Sequence, residues 1–461
     1  MTHINVSFRE LEGDQHTPIS IFMNLEGTHK FLLESSLKHE DSGRYSFIGS
    51  DPFFEMKADK TQMKLIDLVK SESETSDEDP FTWLKRHLEH SVDRDFSLPF
   101  PSGGIGYFAY DVAKRFEAID EAESDDLEMP DIHFLFYNRL IVYDHLMQKI
   151  YITVVDQWIT NETVNHQKAL YDMEQQLAQS IALQELEPFH ATDYRSNMST
   201  EKYEELVKKA RTHIEEGDIF QVVLSQRLSS PYTGDPFSFY RKLRKRNPSP
   251  YMFYIDFNEY VVLGASPESL IKVDGRNVTT NPIAGTRKRG KSETEDRLLS
   301  KELLEDEKEI AEHQMLVDLG RNDVGRISKP GTIQLSKYML IERYRTVMHI
   351  VSEVKGVLDD SSQPIDALIA CLPAGTVSGA PKIRAMQLIN EMEKTKRGVY
   401  SGAVGYLGVN GNLDLALAIR TMVLKDGKAH VQAGAGVVYD SVPENEFEET
   451  LNKAKSLLEV Q

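Results

Sequence analysis

The sequence predicts an α+β fold, on three observations. Segments with strand periodicity come in groups joined by short polar turns, which is the antiparallel arrangement. Helical periodicities fall between those groups instead of after each strand, so helices are left to cover sheet faces. A chain of 461 residues with 40 % apolar side chains can bury a large core.

In chain order, residues 71–79 and 117–126 are acidic and read as solvated loops. Between them lies Pro101-Ser-Gly-Gly-Ile-Gly-Tyr-Phe-Ala-Tyr-Asp111. Residues 140–144 and 149–155 alternate as two strands around a polar turn, and a helix is predicted over 163–183. Residues 184–199 are polar, contain Pro188 and read as a linker. That divides the chain into an N-terminal region, 1–190, and a second region, 191–461. Ser199 caps a helix whose face is Tyr203, Leu206, Val207, Ala210 and Ile214, closed by Gly217. A strand follows over 219–227, and Asp235-Pro236 opens the next helix with a capping side chain and a first-turn proline. Residues 413–424 and 429–438 read as strands joined at Asp426-Gly427, a hairpin signal. A last helix spans 444–459. There is no repeat at the 20–50-residue period of solenoids.

Lys+Arg number 53 and Asp+Glu 73, a net charge of −20. Nucleic acid and anionic membranes need a basic surface, so neither is expected as a partner. The single cysteine, Cys371, excludes a disulfide framework, a cysteine zinc site and an iron–sulfur cluster within the chain. It stands in Ala370-Cys-Leu-Pro373 with no flanking glycine, unlike a triad nucleophile on a glycine-rich elbow. No secretion-type start and no window of 18 apolar residues is present, so a cytoplasmic protein is expected.

Four groupings could carry chemistry. Ser292 and Glu295 have capping-box spacing, and the helix after them is read through residues 303–318, with Leu303, Ile310 and Val317 on its apolar stripe. Glu309 and Glu312 share one face of it. On the last helix Glu446, Glu449 and Lys453 form a row beside the stripe Phe447, Leu451, Ala454 and Leu458. Like charges at this spacing do nothing for a helix by themselves. If the two helices face each other, their carboxylates make an all-oxygen site suited to Mg²⁺; otherwise they are two solvated faces. Second, one face of the 413–424 strand carries Ala416, Ala418 and Arg420, leaving Arg420 room to grip a carboxylate, or to pair with a structural Asp or Glu. Third, Pro282-Ile-Ala-Gly-Thr-Arg287, Pro373-Ala-Gly-Thr-Val-Ser-Gly-Ala-Pro-Lys382 and Gln432-Ala-Gly-Ala-Gly436 read as glycine loops that either present N–H groups to an anion or simply turn the chain; none fits a P-loop. Fourth, Glu268, His349 and Gln221 lie in apolar settings, as acid–base candidates or satisfied core residues.

These pieces, in this order, resemble the chorismate-utilising enzymes over residues 199–458. The resemblance rests on Ala265-Ser-Pro-Glu-Ser269, Pro282-Ile-Ala-Gly-Thr286, the run from Asp306 to Leu319-Gly-Arg-Asn-Asp323, residues 373–382, and Glu446-Phe-Glu-Glu-Thr-Leu-Asn-Lys-Ala454. Gly103-Gly-Ile-Gly-Tyr-Phe-Ala-Tyr-Asp111 and Gly43-Arg-Tyr-Ser-Phe-Ile-Gly49 extend it into the first half. It implies an α/β sandwich, two antiparallel β-sheets packed face to face with helices outside and the two sequence halves interwoven. Members that activate water have a lysine base where this chain has Gln221, which cannot deprotonate water. Members with a nucleophilic lysine carry it where this chain has Ala284. The remaining branch adds ammonia at C2 of chorismate, loses the C4 hydroxyl and eliminates pyruvate to give anthranilate, the committed step toward tryptophan. The alternatives are an aminodeoxychorismate synthase of the folate branch without the lysine, and a non-catalytic tryptophan-sensing protein on the same fold.

Carried over residue by residue, the resemblance implies that Glu312 and Glu449 ligate Mg²⁺, with Glu309 and Glu446 reaching it through water. Arg420 and Tyr400 would hold the enolpyruvyl carboxylate. Backbone amides at Gly285, Gly434 and Gly436, with Thr286, Thr376 and Lys453, would complete an anion cradle. Glu268 would be the general acid on the departing hydroxyl, His349 would assist that departure or move protons at the ring, and Gln221 would line the side where ammonia arrives. Leu32-Leu-Glu-Ser35 and Asn247-Pro-Ser-Pro-Tyr-Met252 resemble two walls of a tryptophan pocket. Leu33, Glu34, Ser35, Pro250, Tyr251 and Met252 would hold a feedback inhibitor, Glu34 and Ser35 taking its ammonium. A separate glutamine amidotransferase subunit is the implied source of ammonia.

Overall fold

Two antiparallel sheets organise the chain, and each draws strands from both sequence halves. The computed structural model describes residues 3–35, 43–88, 90–92, 98–179, 185–344 and 347–460. The first sheet runs through Ile283–Lys288, Val347–Val357, Asn277–Thr280, Ser269–Asp274, Leu413–Leu417, Ala403–Gly408, Gly103–Phe108, Ile132–Tyr137, Phe54–Ala58, Met63–Asp67 and Glu72–Ser76, with Gln334–Arg343 also paired to Val347–Val357. The second runs through Arg195–Ser196, Gln221–Pro231, Lys428–Val437, Thr421–Lys425, Tyr260–Ser266, Tyr251–Asp256, Phe31–Glu34, Tyr45–Gly49, Arg139–Asp144, Lys149–Val154 and Ser7–Glu12. Their inner faces share one core. Phe47 of the second sheet meets Tyr406 of the first at 5.5 Å between centroids, and Phe31 meets Tyr137 at 4.7 Å.

Helices lie outside. Pro18–Asn24, His166–Ala178, Pro236–Arg246 and Pro443–Leu458 bury Phe22, Met173, Tyr240 and Leu457 against the outer face of the second sheet. Thr200–Glu215 and Lys382–Glu393 cover Val222, Leu224 and Val437. Glu307–Gly325 and Pro364–Cys371 pack on the first sheet. Ser199, Asn165 and Asp235 cap their helices through side-chain acceptors. The predicted end of the 163–183 helix falls partly outside the described residues.

Five expectations need correction. Residues 72–76 form an edge strand; its polarity reflects exposure on both faces at the sheet's rim. The linker is packed, with Phe189 buried against Tyr232 and Phe239; its residue 184 lies outside the described residues. The helix read through 303–318 is two helices, Glu293–Glu305 and Glu307–Gly325. Extended Asp306 ends the first and caps the second by accepting from the N–H groups of Lys308 and Glu309. The strand read over 413–424 is likewise two, Leu413–Leu417 in the first sheet and Thr421–Lys425 in the second, because Arg420 turns the chain at φ +51°. Residues 283–287 and 432–436 are strand, not loop; the glycine signal of the former marks a bulge at Gly285, with φ +76°.

A buried ion pair ties three of these elements. Arg397 Nε donates to Glu393 Oε2 at 2.8 Å and Nη2 to Oε1 at 2.6 Å. The same guanidinium donates to the carbonyls of Val377 (2.8 Å) and Val223 (2.7 Å), and Glu393 Oε1 accepts from the Ser225 N–H at 2.7 Å. Helix 382–393, turn 375–377 and strand 221–231 are thereby fixed together. Arg397→Ala leaves Glu393 buried and unpaired, so it is expected to cost about 3–5 kcal/mol. Urea denaturation checks this, and an unchanged midpoint would contradict it.

Candidate functional site

Two chain segments pass from one sheet to the other side by side. One leaves the second sheet at Ser266 and joins the first at Ser269; the other leaves the first at Leu417 and joins the second at Thr421. They are laced by Leu417 N–H to Glu268 O (3.0 Å), Ala265 N–H to Arg420 O (3.1 Å) and Ser266 Oγ to Leu417 O (2.7 Å). Glu268 sits in the first crossing and Arg420 in the second.

Glu268 is buried, and its Oε1 accepts from Thr376 Oγ1 at 2.8 Å. Burial pushes its carboxyl up to about 7, against the Thr376 hydrogen bond and the charge of Lys453. Burial also presses the Arg420 guanidinium down, with Tyr400 opposing. Among the described residues no Asp or Glu lies within ion-pair reach of Arg420, so the structural-pair alternative does not hold there. Arg420 also helps to keep His349 uncharged, after burial itself. His349 Nδ1 lies 3.2 Å from Gly285 O and 3.0 Å from Thr286 Oγ1. A carbonyl only accepts, so Nδ1 carries the proton and Nε2 is the basic nitrogen.

The Gly285 bulge brings Glu309 close: a Cβ at Gly285 would stand 3.1 Å from Glu309 Oε2. Glu312, one turn on, accepts from Gln221 Nε2 at 3.0 Å. A Cβ at Gly436 would meet that Nε2 at 2.8 Å, and one at Gly434 would meet Tyr400 Oη at 2.8 Å. The strand Thr421–Lys425 pairs with 428–431 and then departs for the crossing, so one edge of residues 432–436 is left without that neighbour. Lys453 bonds Gly434 O at 2.9 Å and Glu449 Oε1 at 2.8 Å.

Glu309 and Glu446 are both pushed up, first by burial, and further by Glu312 and Glu449 respectively. Lys308 of the first acidic helix acts on Glu446 of the last one, so the two carboxylate rows share an electrostatic neighbourhood. The four carboxylates are not drawn into one compact ligand group; among the described residues the group that is comprises His213, Glu216 and Asp218, where Arg384 also engages Asp218.

A cavity of about 980 Å³ opens between the sheets, lined by Leu33, Glu34, Ser35, Pro250, Tyr251 and Met252. The strands Phe31–Glu34 and Tyr251–Asp256 are paired, Met252 opposite Glu34. Leu33 belongs to the inner core, whereas Glu34 turns to the helices, its Oε1 accepting from Tyr240 Oη (2.8 Å) and Arg244 Nε (2.6 Å). Sequence reasoning missed Asp414, which lines the same cavity, is raised by burial and has Oδ1 buried without a hydrogen-bond partner. The signal available was a lone acid in the apolar strand Leu413-Asp-Leu-Ala-Leu417. Arg397 and Tyr344 also went unread, since only their tertiary neighbours mark them.

No helix among the described residues is long and apolar enough to cross a membrane. A profile of chorismate binding enzymes matches residues 28–459. The chain is 48 % identical over 455 residues to anthranilate synthase component 1 of Lactococcus lactis subsp. lactis (strain IL1403), covering 98 % of this chain and 99 % of that protein. It is 46 % identical to anthranilate synthase component 1 of Acetivibrio thermocellus, covering 97 % and 93 %. The crystal structure of anthranilate synthase component I from Streptococcus pneumoniae TIGR4 matches it with a TM-score of 0.84 at 43 % identity, over 98 % of this chain and 99 % of that one. The chain belongs to the chorismate-binding enzyme family, within the branch of anthranilate synthase component I.

Proposed function

We propose that the protein converts chorismate and ammonia into anthranilate, pyruvate and water, and that tryptophan inhibits it. The observation that carries this reading is Arg420, a desolvated cation with no protein carboxylate among the described residues, on the crossing adjacent to that of Glu268, whose carboxyl burial raises to about 7. Arg420 and Tyr400 would take the enolpyruvyl carboxylate, with Gly285, Thr286, Gly434 and Gly436 around the substrate's anionic groups. Glu268, protonated and hydrogen-bonded to Thr376, would give its proton to the C4 hydroxyl, which leaves as water while ammonia adds at C2. The proton then lost from C2 accompanies release of the enolpyruvyl group as pyruvate, and His349 Nε2 is the neighbouring base for the ring protons. Gln221 is a carboxamide donating to Glu312 and has no basic atom for water.

The donor set fits Mg²⁺. It is all oxygen, on two helices linked electrostatically through Lys308 and Glu446, and two of its partly buried carboxylates, Glu309 and Glu446, are raised first by burial and further by like-charged neighbours that a divalent cation would relieve. Glu312 and Glu449 would hold the ion, with Glu309 and Glu446 behind water. When bound it would fix the ring carboxylate and offset charge there. Lys453, paired with Glu449, would adjust as that carboxylate is engaged.

The proposed inhibitor site is the cavity between the sheets, where the N-terminal region, 1–190, meets the second region. Leu33 and Tyr251 would contact the indole, and Ser35 with Asp414, whose carboxyl also engages Tyr251 and Lys272, would take the ammonium. Glu34 would support the wall through Tyr240 and Arg244. Ammonia would come from a separate glutamine amidotransferase subunit.

Incubation with chorismate, Mg²⁺ and ammonium should give fluorescent anthranilate and one equivalent of pyruvate; an amino product still bearing its enolpyruvyl group would assign the folate branch instead. Glu312→Gln or Glu449→Gln should lower kcat/KM at least about 10²-fold and weaken Mg²⁺ binding by calorimetry, with circular dichroism unchanged. Undiminished turnover at limiting Mg²⁺ would refute the metal assignment. Glu268→Gln should reduce kcat about 10²–10⁴-fold. The Glu268 carboxyl titrates higher folded than its ordinary 4.5, so the stability it contributes is complete below about 4.5 and lost as pH rises through about 7. The Gln variant should therefore match the parent in stability at low pH and exceed it at pH 8 by roughly 1–3 kcal/mol, read from melts at both pH values.

A further inference from the structure

Tyr344 stands between the interior cavity and the catalytic groups. With Tyr251 and Glu342 it lines the cavity, and its hydroxyl donates to Glu342 Oε2 at 3.0 Å. Its ring also meets the His349 imidazole edge to face, centroids 5.4 Å apart at 62°. Among the described aromatic contacts of His349 it is the one. Backbone pairing sets this geometry: Glu342 lies opposite His349 across antiparallel strands, and the Tyr344 N–H donates to Val347 O at 2.8 Å. Burial raises the Tyr344 hydroxyl, and the charges of Glu342 and Glu268 raise it further, which places Glu268 in its surroundings as well. The hydroxyl of Tyr251, the proposed wall of the tryptophan site, is raised by burial and Asp414, with Tyr344 a smaller contributor.

We infer that Tyr344 is a positioning residue that holds the His349 ring for the reaction and transmits occupancy of the cavity to it. The inference rests on the tryptophan site proposed above. A ligand packed on Tyr251 shares the cavity with the Tyr344 ring. That ring cannot move without altering its contact with His349, so one side chain is biased from both sites, as coupling requires. Since its contact is with His349, its loss should act on kcat more than on KM.

The test uses the full-length chain, ammonium as nucleophile and L-tryptophan as probe, comparing Tyr344→Leu and Tyr344→Phe. The Leu variant should still bind tryptophan by calorimetry, have kcat reduced about tenfold with little change in the KM for chorismate, and retain most of its remaining activity at saturating tryptophan. The Phe variant keeps the ring and should remain inhibited, which also separates the effect from misfolding if the Leu variant melts early. Full inhibition of a folded Leu variant, or equal loss of inhibition in the Phe variant, would overturn the inference while leaving the tryptophan site standing. Absence of tryptophan binding to the parent would overturn that site, and the inference with it.

Discussion

Two adjacent crossings between the sheets are the constraint on which the site depends. Ser266–Ser269 and Leu417–Thr421 exchange sheets in opposite directions, and neither could do so alone without stranding backbone groups between two layers. They satisfy each other instead: Glu268 O takes the Leu417 N–H, and Arg420 O takes the Ala265 N–H. A third segment completes the lacing, with Ser401 N–H on Ala418 O and Ala418 N–H on Gly402 O. Because the crossings are held by backbone bonds, their side chains are free for other uses. Glu268 and Arg420 are the two ionisable ones.

Charge is handled in two contrasting ways around that point. Arg397 and Glu393 are buried and mutually satisfied, with every remaining oxygen and nitrogen given a backbone or hydroxyl partner. They hold the walls. Arg420 and Glu268 are desolvated with incomplete compensation, and Glu309 and Glu446 partly so, which costs folding free energy and leaves electrostatic demand for a ligand to meet; Glu449 is exposed and paired with Lys453. In the proposed reaction, a dianionic substrate with a divalent cation would supply opposite charge to both parts of that demand. The Arg397 side chain also stacks between Tyr110 and Tyr400, at 4.7 and 5.6 Å, so the satisfied pair supports a member of the unsatisfied set.

The cavity follows from the same architecture. Two large sheets whose inner faces share a core need not be filled along their whole length, and near the crossings the packing opens between Tyr251, Tyr406 and Asp414. Its walls come from distant parts of the chain, so its occupancy can influence both how the sheets sit and what lies behind Tyr344. Control of chemistry from inside a sandwich requires only that a wall be shared, and Tyr344 is a shared wall.

Much was legible from residues alone. Caps at Ser199 and Asp235, the hairpin at Asp426-Gly427 and the amphipathic final helix are local matters of propensity and hydrogen bonding, and the spacing of Glu309 with Glu312 and of Glu446 with Glu449 already put each pair on one helix face. The family motifs carried the sandwich and named the candidate site residues. Other features were out of reach because their causes are non-local. The alternation through residues 413–424 continues smoothly across Arg420, so no periodicity marks the change of sheet, which is imposed by neighbours at 264–268 and 401–402. The Gly285 and Gly434–Gly436 segments look like loops because glycine signals permissive backbone, and only the pairing strands decide that they are a bulge and a strand. Sequence by itself determined which residue types could bind, cap and catalyse, since those are properties of single side chains and short periods. Tertiary structure alone decided which charges would be left unpaired, because that depends on what the rest of the fold places within a few ångströms.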